Sequence, residues 1–364
     1  MKIAFLAPAN SIHTQRWVGA LCRRGHEVTL FSQHREPTEQ AFQGARFERL
    51  PFSGSVGYFL NAVRLRARLK ALQPDLLNAH YASGYGTTAA LSGFRPVLLS
   101  VWGSDVFDFP YESWAKGLIL RRNLRCAARL ASTSHVMARQ VHELVPELPS
   151  ALVTPFGVDC NRFCPRPQLD SQFITIGTVK TLAHKYGVDL LIDAFSRVVH
   201  ELQLQEASAA PRLRLMLVGA GEERLALEAM ATRLGVRDRV VFVGPVAHSD
   251  VPDWLNQLDI FVAASRRESF GVAAVEASAC GLPVVVSDAG GLPEVVRSGE
   301  TGFVVPREQP QALADAISQL VLDAELRRRM GIAGRELVLS RYEWEHCVDT
   351  MEAAYREVVA ARSG

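Results

Sequence analysis

Twice along its length this chain alternates short apolar runs with segments of helical periodicity, and that succession constrains the fold more than any single residue does. In the first half, residues 2–7, 27–32, 75–80, 96–101, 129–133 and 151–155 read as strands. Between them, residues 14–24, 58–72, 114–127 and 136–144 space their apolar side chains as helices do. Strands separated by helices require parallel pairing with right-handed crossovers, which predicts a doubly wound α/β domain. The periodicity fails over 161–172, where Pro165 and Pro167 mark a linker. It restarts with strands at 173–179, 213–219, 240–243, 260–264, 283–287 and 302–305, and with helices at 188–201 and 222–234. Three closing helices, 311–322, 324–339 and 345–361, have no strand between them. The expected organisation is α/β: two Rossmann-like doubly wound parallel-sheet domains, residues 1–165 and 166–344, facing a central cleft. The helix of 345–364 is expected to pack back on the first domain. Open α/β sheets bind ligands beyond the carboxyl ends of their strands, so chemistry is expected in that cleft.

At 364 residues the chain is long enough for two complete cores. No apolar run spans a bilayer and the first residues carry no secretory pattern, so a cytoplasmic protein is expected. The cysteines Cys22, Cys126, Cys160, Cys164, Cys280 and Cys347 lack zinc-type pairing and read as reduced structural thiols. Charge is uneven: residues 1–165 hold 19 Lys and Arg against 11 Asp and Glu, a balance of +8, and the remainder is acidic. Arg64, Arg66, Arg68 and Lys70, and again Lys116, Arg121, Arg122 and Arg125, interleave with apolar residues at helical spacing. Such helices either lie on anionic lipid headgroups, inviting a peripheral place on the inner membrane face, or present a solvated face. Nucleic acid fits poorly, because no recognised nucleic-acid module occurs.

The richest stretch is Glu268-Ser269-Phe270-Gly271-Val272-Ala273-Ala274-Val275-Glu276. A Phe-Gly turn leads there into a small-residue helix whose first amides suit phosphate oxygens, with a carboxylate at each end. By themselves the two glutamates also fit a surface residue and an amphipathic helix. Lys180 and Lys185, just past a strand, suit a diphosphate. Gly219-Ala220-Gly221 resembles part of a dinucleotide fingerprint, the single ground for a nicotinamide oxidoreductase, and Gly290-Gly291 suits an oxyanion cradle. No Asp-x-Asp dyad is present to clamp a metal-nucleotide.

Together with Thr154-Pro155-Phe156-Gly157-Val158-Asp159, the run Lys185-Tyr186-Gly187-Val188-Asp189, Val241-Phe242-Val243-Gly244 and Gly281-Leu282-Pro283, these motifs resemble glycosyltransferase family 4 in their order. These are retaining GT-B enzymes related to bacterial glycogen synthase and the phosphatidylinositol mannosyltransferases. The resemblance is densest over 150–310. It implies a hexosyltransferase that takes a nucleotide-sugar donor, a UDP- or GDP-sugar, and a saccharide or lipid-linked acceptor, with no cofactor and no metal. Envelope polysaccharide, lipopolysaccharide or glycolipid synthesis is the implied setting.

Carried over by residue, Glu276 holds the ribose hydroxyls, and Glu268 contacts the donor sugar near the reacting carbon. Backbone groups of Ser269, Phe270, Gly271 and Val272 cradle the distal phosphate, Lys180 and Lys185 meet the diphosphate, and Gly244, Pro245 and Val246 border the base. Gly219, Gly290 and Gly291 join the donor-binding set, and Glu268, His80 and Lys185 form the catalytic one. His80 is implied to reach the donor sugar, while His13, Trp102 and Asp105 lie on the acceptor side. Thr178 replaces the family's usual arginine, Pro8-Ala9-Asn10-Ser11 replaces a paired-glycine loop, and Trp102 stands where many relatives carry His, either to stack on an acceptor or to pack. A nucleotide-sugar epimerase of the same fold and a non-catalytic partner subunit are the alternatives.

Overall fold

A computed structural model describes residues 1–35, 42, 44–167, 172–204 and 212–361. It divides into two compact units, Met1–Pro155 with His346–Gly364, and Phe156–Glu345. Each unit is built on one parallel sheet.

The first sheet contains β1 (Lys2–Leu6), β2 (Glu27–Ser32), β3 (Arg46–Arg49), β4 (Leu76–His80), β5 (Val97–Val101), β6 (Arg129–Ser132) and β7 (Leu152–Val153), in the order β3-β2-β1-β4-β5-β6-β7. Its central strands are buried along their whole length because helices cover both faces. Strand β3 and the helix Gly84–Ser92 carry no apolar signal in the sequence. The first is a polar edge strand, and the second is a run of Gly, Thr, Ser and Ala buried almost all round. Small residues permit that burial: a Cβ on Gly84 would lie 2.5 Å from the Tyr58 ring.

The second sheet contains β8 (Phe173–Val179), β9 (Arg212–Val218), β10 (Val240–Gly244), β11 (Ile260–Ala263), β12 (Val284–Ser287) and β13 (Gly302–Val305), ordered β10-β9-β8-β11-β12-β13. Phe195, Leu191 and Val198 of the helix Val188–Leu204 and Ile317 and Leu320 of Pro310–Leu322 fill one face of its core.

Part of the expected linker is folded. Val158 exchanges backbone hydrogen bonds with Tyr342 and Trp344 at 2.7 and 3.0 Å, Phe163 is buried, and Arg335 donates to the Phe163 and Cys160 carbonyls at 3.1 and 3.4 Å. Lack of periodicity in this segment reflects single anchoring side chains, whereas residues 168–171 lie outside the described ones. From His346 onward the last helix belongs to the first unit. Its Asp349 pairs with Arg24 at 2.5 Å, its Glu352 with His26 at 2.9 Å, and its Glu357 with Arg129 at 2.8 Å.

In both sheets the chain reverses its direction of travel beside the first strand. The connections leaving β1 and β4 part to opposite sides, as do those leaving β8 and β11. A crevice at the carboxyl ends of such a pair is where open α/β sheets bind ligands.

Candidate functional site

In the second unit this reversal brings Lys180, the residue after β8, against Glu268 in the loop after β11. Lys180 Nζ lies 2.6 Å from Glu268 Oε2, with the two side chains only 16 and 12 % exposed. Burial opposes the Lys180 charge, yet the Glu268 carboxylate outweighs it and raises the ammonium pKa above its ordinary 10.5, with Tyr186 and Glu276 adding to the effect. The Tyr186 ring also lies under the cations of Lys180, at 4.5 Å, and Lys185, at 4.8 Å.

Glycines allow the loops that carry this pair to approach closely. Lys180 donates its amide to Val218, and Leu182 donates to Ala220, both at 2.9 Å. A Cβ on Gly219, at φ +137°, would sit 1.9 Å from the Lys180 carbonyl oxygen, and one on Gly221 2.1 Å from that of Leu182. The Gly219 amide is donated to Gly244 O at 2.9 Å. The Gly-Ala-Gly run is therefore a seat for the Lys180 loop, not a dinucleotide turn, and Gly219, expected in the donor-binding set, has its amide engaged by Gly244 O. The same applies to the paired glycines. Gly290 has φ +53° and its Cβ would lie 1.8 Å from Glu268 O, while the Gly291 amide is donated to that same oxygen at 3.1 Å. The expected cradle at Gly290-Gly291 is a seat for the Glu268 loop.

Gly271, at φ +109°, precedes the helix Val272–Ala279. An α-helix leaves its first amides without intrahelical acceptors, and here they come after the turn Ser269-Phe270-Gly271 that follows Glu268. Phe270 is buried against Phe156 and Tyr342 at ring separations of 6.1 and 5.6 Å, which anchors this turn. Glu276 is buried one turn into the helix, with Oε1 3.1 Å from His248 Nε2. His248 carried no signal of its own in the sequence beyond lying two residues past Val246. Val246 and Gly244 stand at the end of β10, and Thr178 is buried in β8.

Arg266 was likewise not singled out. It forms a two-point ion pair with Asp189 at 2.8 and 2.7 Å, and its NH1 donates to His184 O at 2.8 Å. The amides of Arg266 and Arg267 donate to the Lys185 carbonyl at 2.8 and 3.1 Å. Lys185, whose side chain is exposed, is thereby tied to the loop that carries Glu268. Burial alone would raise the Asp189 carboxyl pKa, but Arg266 brings it below the ordinary value. His184, Asp189 and Glu223 hold potential ligand atoms within 4.8 Å of one another. Both Asp189 oxygens face the Arg266 guanidinium, a poor partner set for a cation.

The first unit encloses a cavity of about 460 Å³ beyond the ends of β1, β2 and β4, walled in part by Pro8, His34, Tyr58, Tyr81, Tyr85 and Lys116. The Tyr85 hydroxyl joins Ser32 Oγ at 2.9 Å and His34 Nδ1 at 2.7 Å. Tyr81 adopts φ +67°, a left-handed conformation unusual for an aromatic residue, at the carboxyl end of β4. It was not singled out in the sequence, where its neighbour His80 drew the assignment.

His80 is fully buried, its ring 4.5 Å from both Phe5 and Trp102. Asn78 Nδ2 donates to Leu98 O and Ser100 Oγ, so Asn78 Oδ1 is the acceptor for His80 Nε2 at 3.0 Å and for Tyr355 O–H at 2.9 Å. This arrangement assigns the proton to Nε2 and leaves Nδ1 as a buried atom without a hydrogen bond. Burial, then the nearby His13, lowers the His80 pKa to about 3. The ring expected to reach a donor sugar is covered here and supports Trp102. Trp102 packs, with His13 at 5.6 Å and Tyr81 at 4.9 Å. Asp105 is buried and accepts from the amides of Ala82, Trp102 and Gly103 at 2.7, 3.1 and 2.8 Å. Its carboxylate shapes the loop that the resemblance places on the acceptor side.

The family model described as "Glycosyl transferases group 1" matches residues 164–337, and that described as "Glycosyl transferase 4-like" matches residues 2–134. The chain belongs to the group 1, family 4 glycosyltransferases. Among its relatives, N-acetyl-alpha-D-glucosaminyl L-malate synthase of Bacillus anthracis is 29% identical over 78% of this chain and 75% of that protein. The GDP-mannose-dependent alpha-(1-6)-phosphatidylinositol monomannoside mannosyltransferase of Mycolicibacterium smegmatis is 27% identical over 96 and 94% of the two chains. Sucrose-phosphate synthase of Thermosynechococcus elongatus superposes with a TM-score of 0.84 at 22% identity, covering 99% of this chain and 100% of that one. HepE of Anabaena, solved in complex with UDP, gives 0.80 at 20%, covering 98 and 100%. These structures establish the GT-B fold of the glycosyltransferase.

Two outcomes follow from this geometry. Gly290→Ala is expected to destabilise the second unit by roughly 2 kcal/mol or more, because the new Cβ displaces the Glu268 backbone. It is also expected to weaken UDP or GDP binding about tenfold; thermal unfolding and a binding titration measure the two. For His80, the folded pKa lies below the unfolded value of 6.5, so the unfolded state takes up the proton first as pH falls. Stability from the neutral ring is therefore fully present above 6.5 and is lost progressively towards about 3. Denaturant unfolding at a series of pH values is expected to give a shallower acid slope for His80→Phe than for the wild type.

Proposed function

We propose that this glycosyltransferase moves a sugar from a UDP- or GDP-sugar to a hydroxyl acceptor, with retention at the anomeric carbon and without a metal ion. The observation that carries the reading is the Lys180–Glu268 pair at the β8/β11 reversal, with Glu268 in the loop that leads through Ser269, Phe270 and Gly271 into the helix Val272–Ala279. A cation held in a nearly dry site beside free helix amides favours a diphosphate without needing a bound cation. The names of two comparison proteins support a nucleotide donor, one being GDP-mannose-dependent and the other solved with UDP.

In this reading the diphosphate exchanges with Glu268 for Lys180 and also meets Lys185 and the amides after Gly271. Glu276, oriented by His248, holds the ribose hydroxyls, and the base lies along Gly244–Val246. Glu268, released from the ammonium, turns to the donor sugar. The bond from C1 to the phosphate oxygen breaks with its electron pair going to the diphosphate. The acceptor oxygen bonds to C1 on the same face, and its proton passes to the leaving phosphate oxygen. Lys180 stabilises the charge that develops there. The acceptor is a saccharide or lipid-linked hydroxyl bound by the first unit, and the work belongs to envelope polysaccharide, lipopolysaccharide or glycolipid synthesis at the inner membrane face. No helix among the described residues is long and apolar enough to cross a membrane, which fits a peripheral place.

The test is turnover of a nucleotide-sugar panel in EDTA, with product configuration read by NMR. The expected result is metal-free turnover with the donor's anomeric configuration kept, and a fall in kcat of about 10²- to 10³-fold in Lys180→Met. Complete dependence on added metal, an inverted product or full activity in Lys180→Met would each contradict the proposal.

A further inference from the structure

We infer that the first unit docks on an anionic lipid bilayer through an apolar ridge surrounding the mouth of its cavity. The inference rests on the lipid-linked acceptor in the proposed function, and it assigns the docking to residues outside the basic groups that the sequence brought forward.

Those basic groups are largely engaged within the unit. Arg66 donates to the Ser92 and Leu91 carbonyls at 2.7 and 2.9 Å, Arg68 forms a two-point pair with Glu48, Arg125 pairs with Glu147 at 2.5 Å, Arg121 bonds to Leu144 O, and Lys116 pairs with Glu112. Each of the same helices also presents an apolar stripe to solvent. On Gly54–Leu72, Val56 is 66 % exposed and Val63 77 %, with Phe59 and Leu60 exposed between them. The spacing i, i+3, i+4, i+7 makes them one stripe, opposite the buried Asn61, Leu65 and Leu69. On Trp114–Cys126, Trp114 is 81 % exposed and Leu118 follows one turn on, with Tyr111 exposed just before.

The two stripes border one opening. Ser55 and Phe59 of the first helix and Lys116 and Ile119 of the second line the same cavity. Exposed apolar side chains collected around a pocket mark an interaction site, whereas scattered ones do not. Three observations favour lipid as the occupant. Trp, Tyr and Phe at the rim are the side chains that settle at a membrane–water interface. Exposed Arg64, Lys70 and Arg122 lie further along the same helices, complementing anionic headgroups. Phe59 belongs both to the exposed stripe and to the cavity lining, so docking would bring the cavity mouth to headgroup level, where a lipid-borne acceptor presents its hydroxyl.

Co-sedimentation with vesicles tests this, comparing phosphatidylcholine alone with phosphatidylcholine carrying about 30% phosphatidylglycerol. The full chain is expected to bind the anionic vesicles with a blue shift of tryptophan emission that is absent in Trp114→Phe. The triple variant Val56→Ser, Leu60→Ser, Val63→Ser is expected to lose partitioning by at least about tenfold, and Arg64→Gln with Lys70→Gln by only about threefold. The triple variant should keep the wild-type melting temperature and nucleotide affinity, because all three side chains already face solvent. Absence of wild-type binding, or equal binding by the triple variant, would overturn the inference. So would concentration-dependent dimerisation that the triple variant abolishes without any vesicle binding, since a second copy would then cover the ridge. Failure of nucleotide-sugar turnover alongside intact vesicle binding would overturn the functional reading and leave the docking standing.

Discussion

The arrangement of the second unit depends on one buried ion pair, Lys180 with Glu268. Each partner sits in a loop at the carboxyl end of a different strand, and the sheet order makes those strands neighbours. Removing both charges from water costs more than ordinary surface pairing returns, so the pair is poorly explained as a source of stability. It is well explained as a means of keeping an ammonium charged in a nearly dry site. The surrounding glycines answer to the same requirement: Gly219 and Gly221 let the Lys180 loop lie on its neighbour, and Gly290 and Gly291 do the same for the Glu268 loop. Arg266 completes the scheme by tying the Lys185 carbonyl and Asp189 to the β11 loop.

The first unit uses the same sheet plan for a different chemistry. Its reversal, between β1 and β4, holds neutral groups: His80 with its proton directed to Asn78, Trp102 packed across it, and Tyr81 in a left-handed turn at the cavity wall. Asp105, which accepts from the amide of Ala82 beside this turn, is held by three backbone amides. Its cavity wall is largely aromatic and uncharged, in contrast with the Lys180–Glu268 pair of the other unit.

Much of this was legible in the sequence, for identifiable reasons. Parallel strands covered on both faces become continuous apolar runs, so β1, β4, β5, β8, β11 and β12 read directly. The edge strand β3 and the helix Gly84–Ser92 did not, because one is polar and the other is buried through small residues without a periodic face. Lys180, Glu268 and Glu276 were legible as residues of a pattern, and their partners were not. His248 and Arg266 reach the site through loop geometry that spacing does not encode. The glycines each mark a close approach, as a glycine in a loop should, and what the sequence did not reveal is that Gly219, Gly221, Gly290 and Gly291 each lie against protein backbone. In the basic helices, likewise, the sequence does not reveal that Arg66, Arg68 and Arg125 already have partners.

If the pair is the centre of the donor site, its two members act as one unit in turnover. A double-mutant cycle on kcat/KM with Lys180→Met, Glu268→Gln and the combined variant measures this directly. The account predicts strong non-additivity, with the double variant scarcely worse than the more damaging single one. Additive losses, or single losses too small to separate from the wild type, would contradict it.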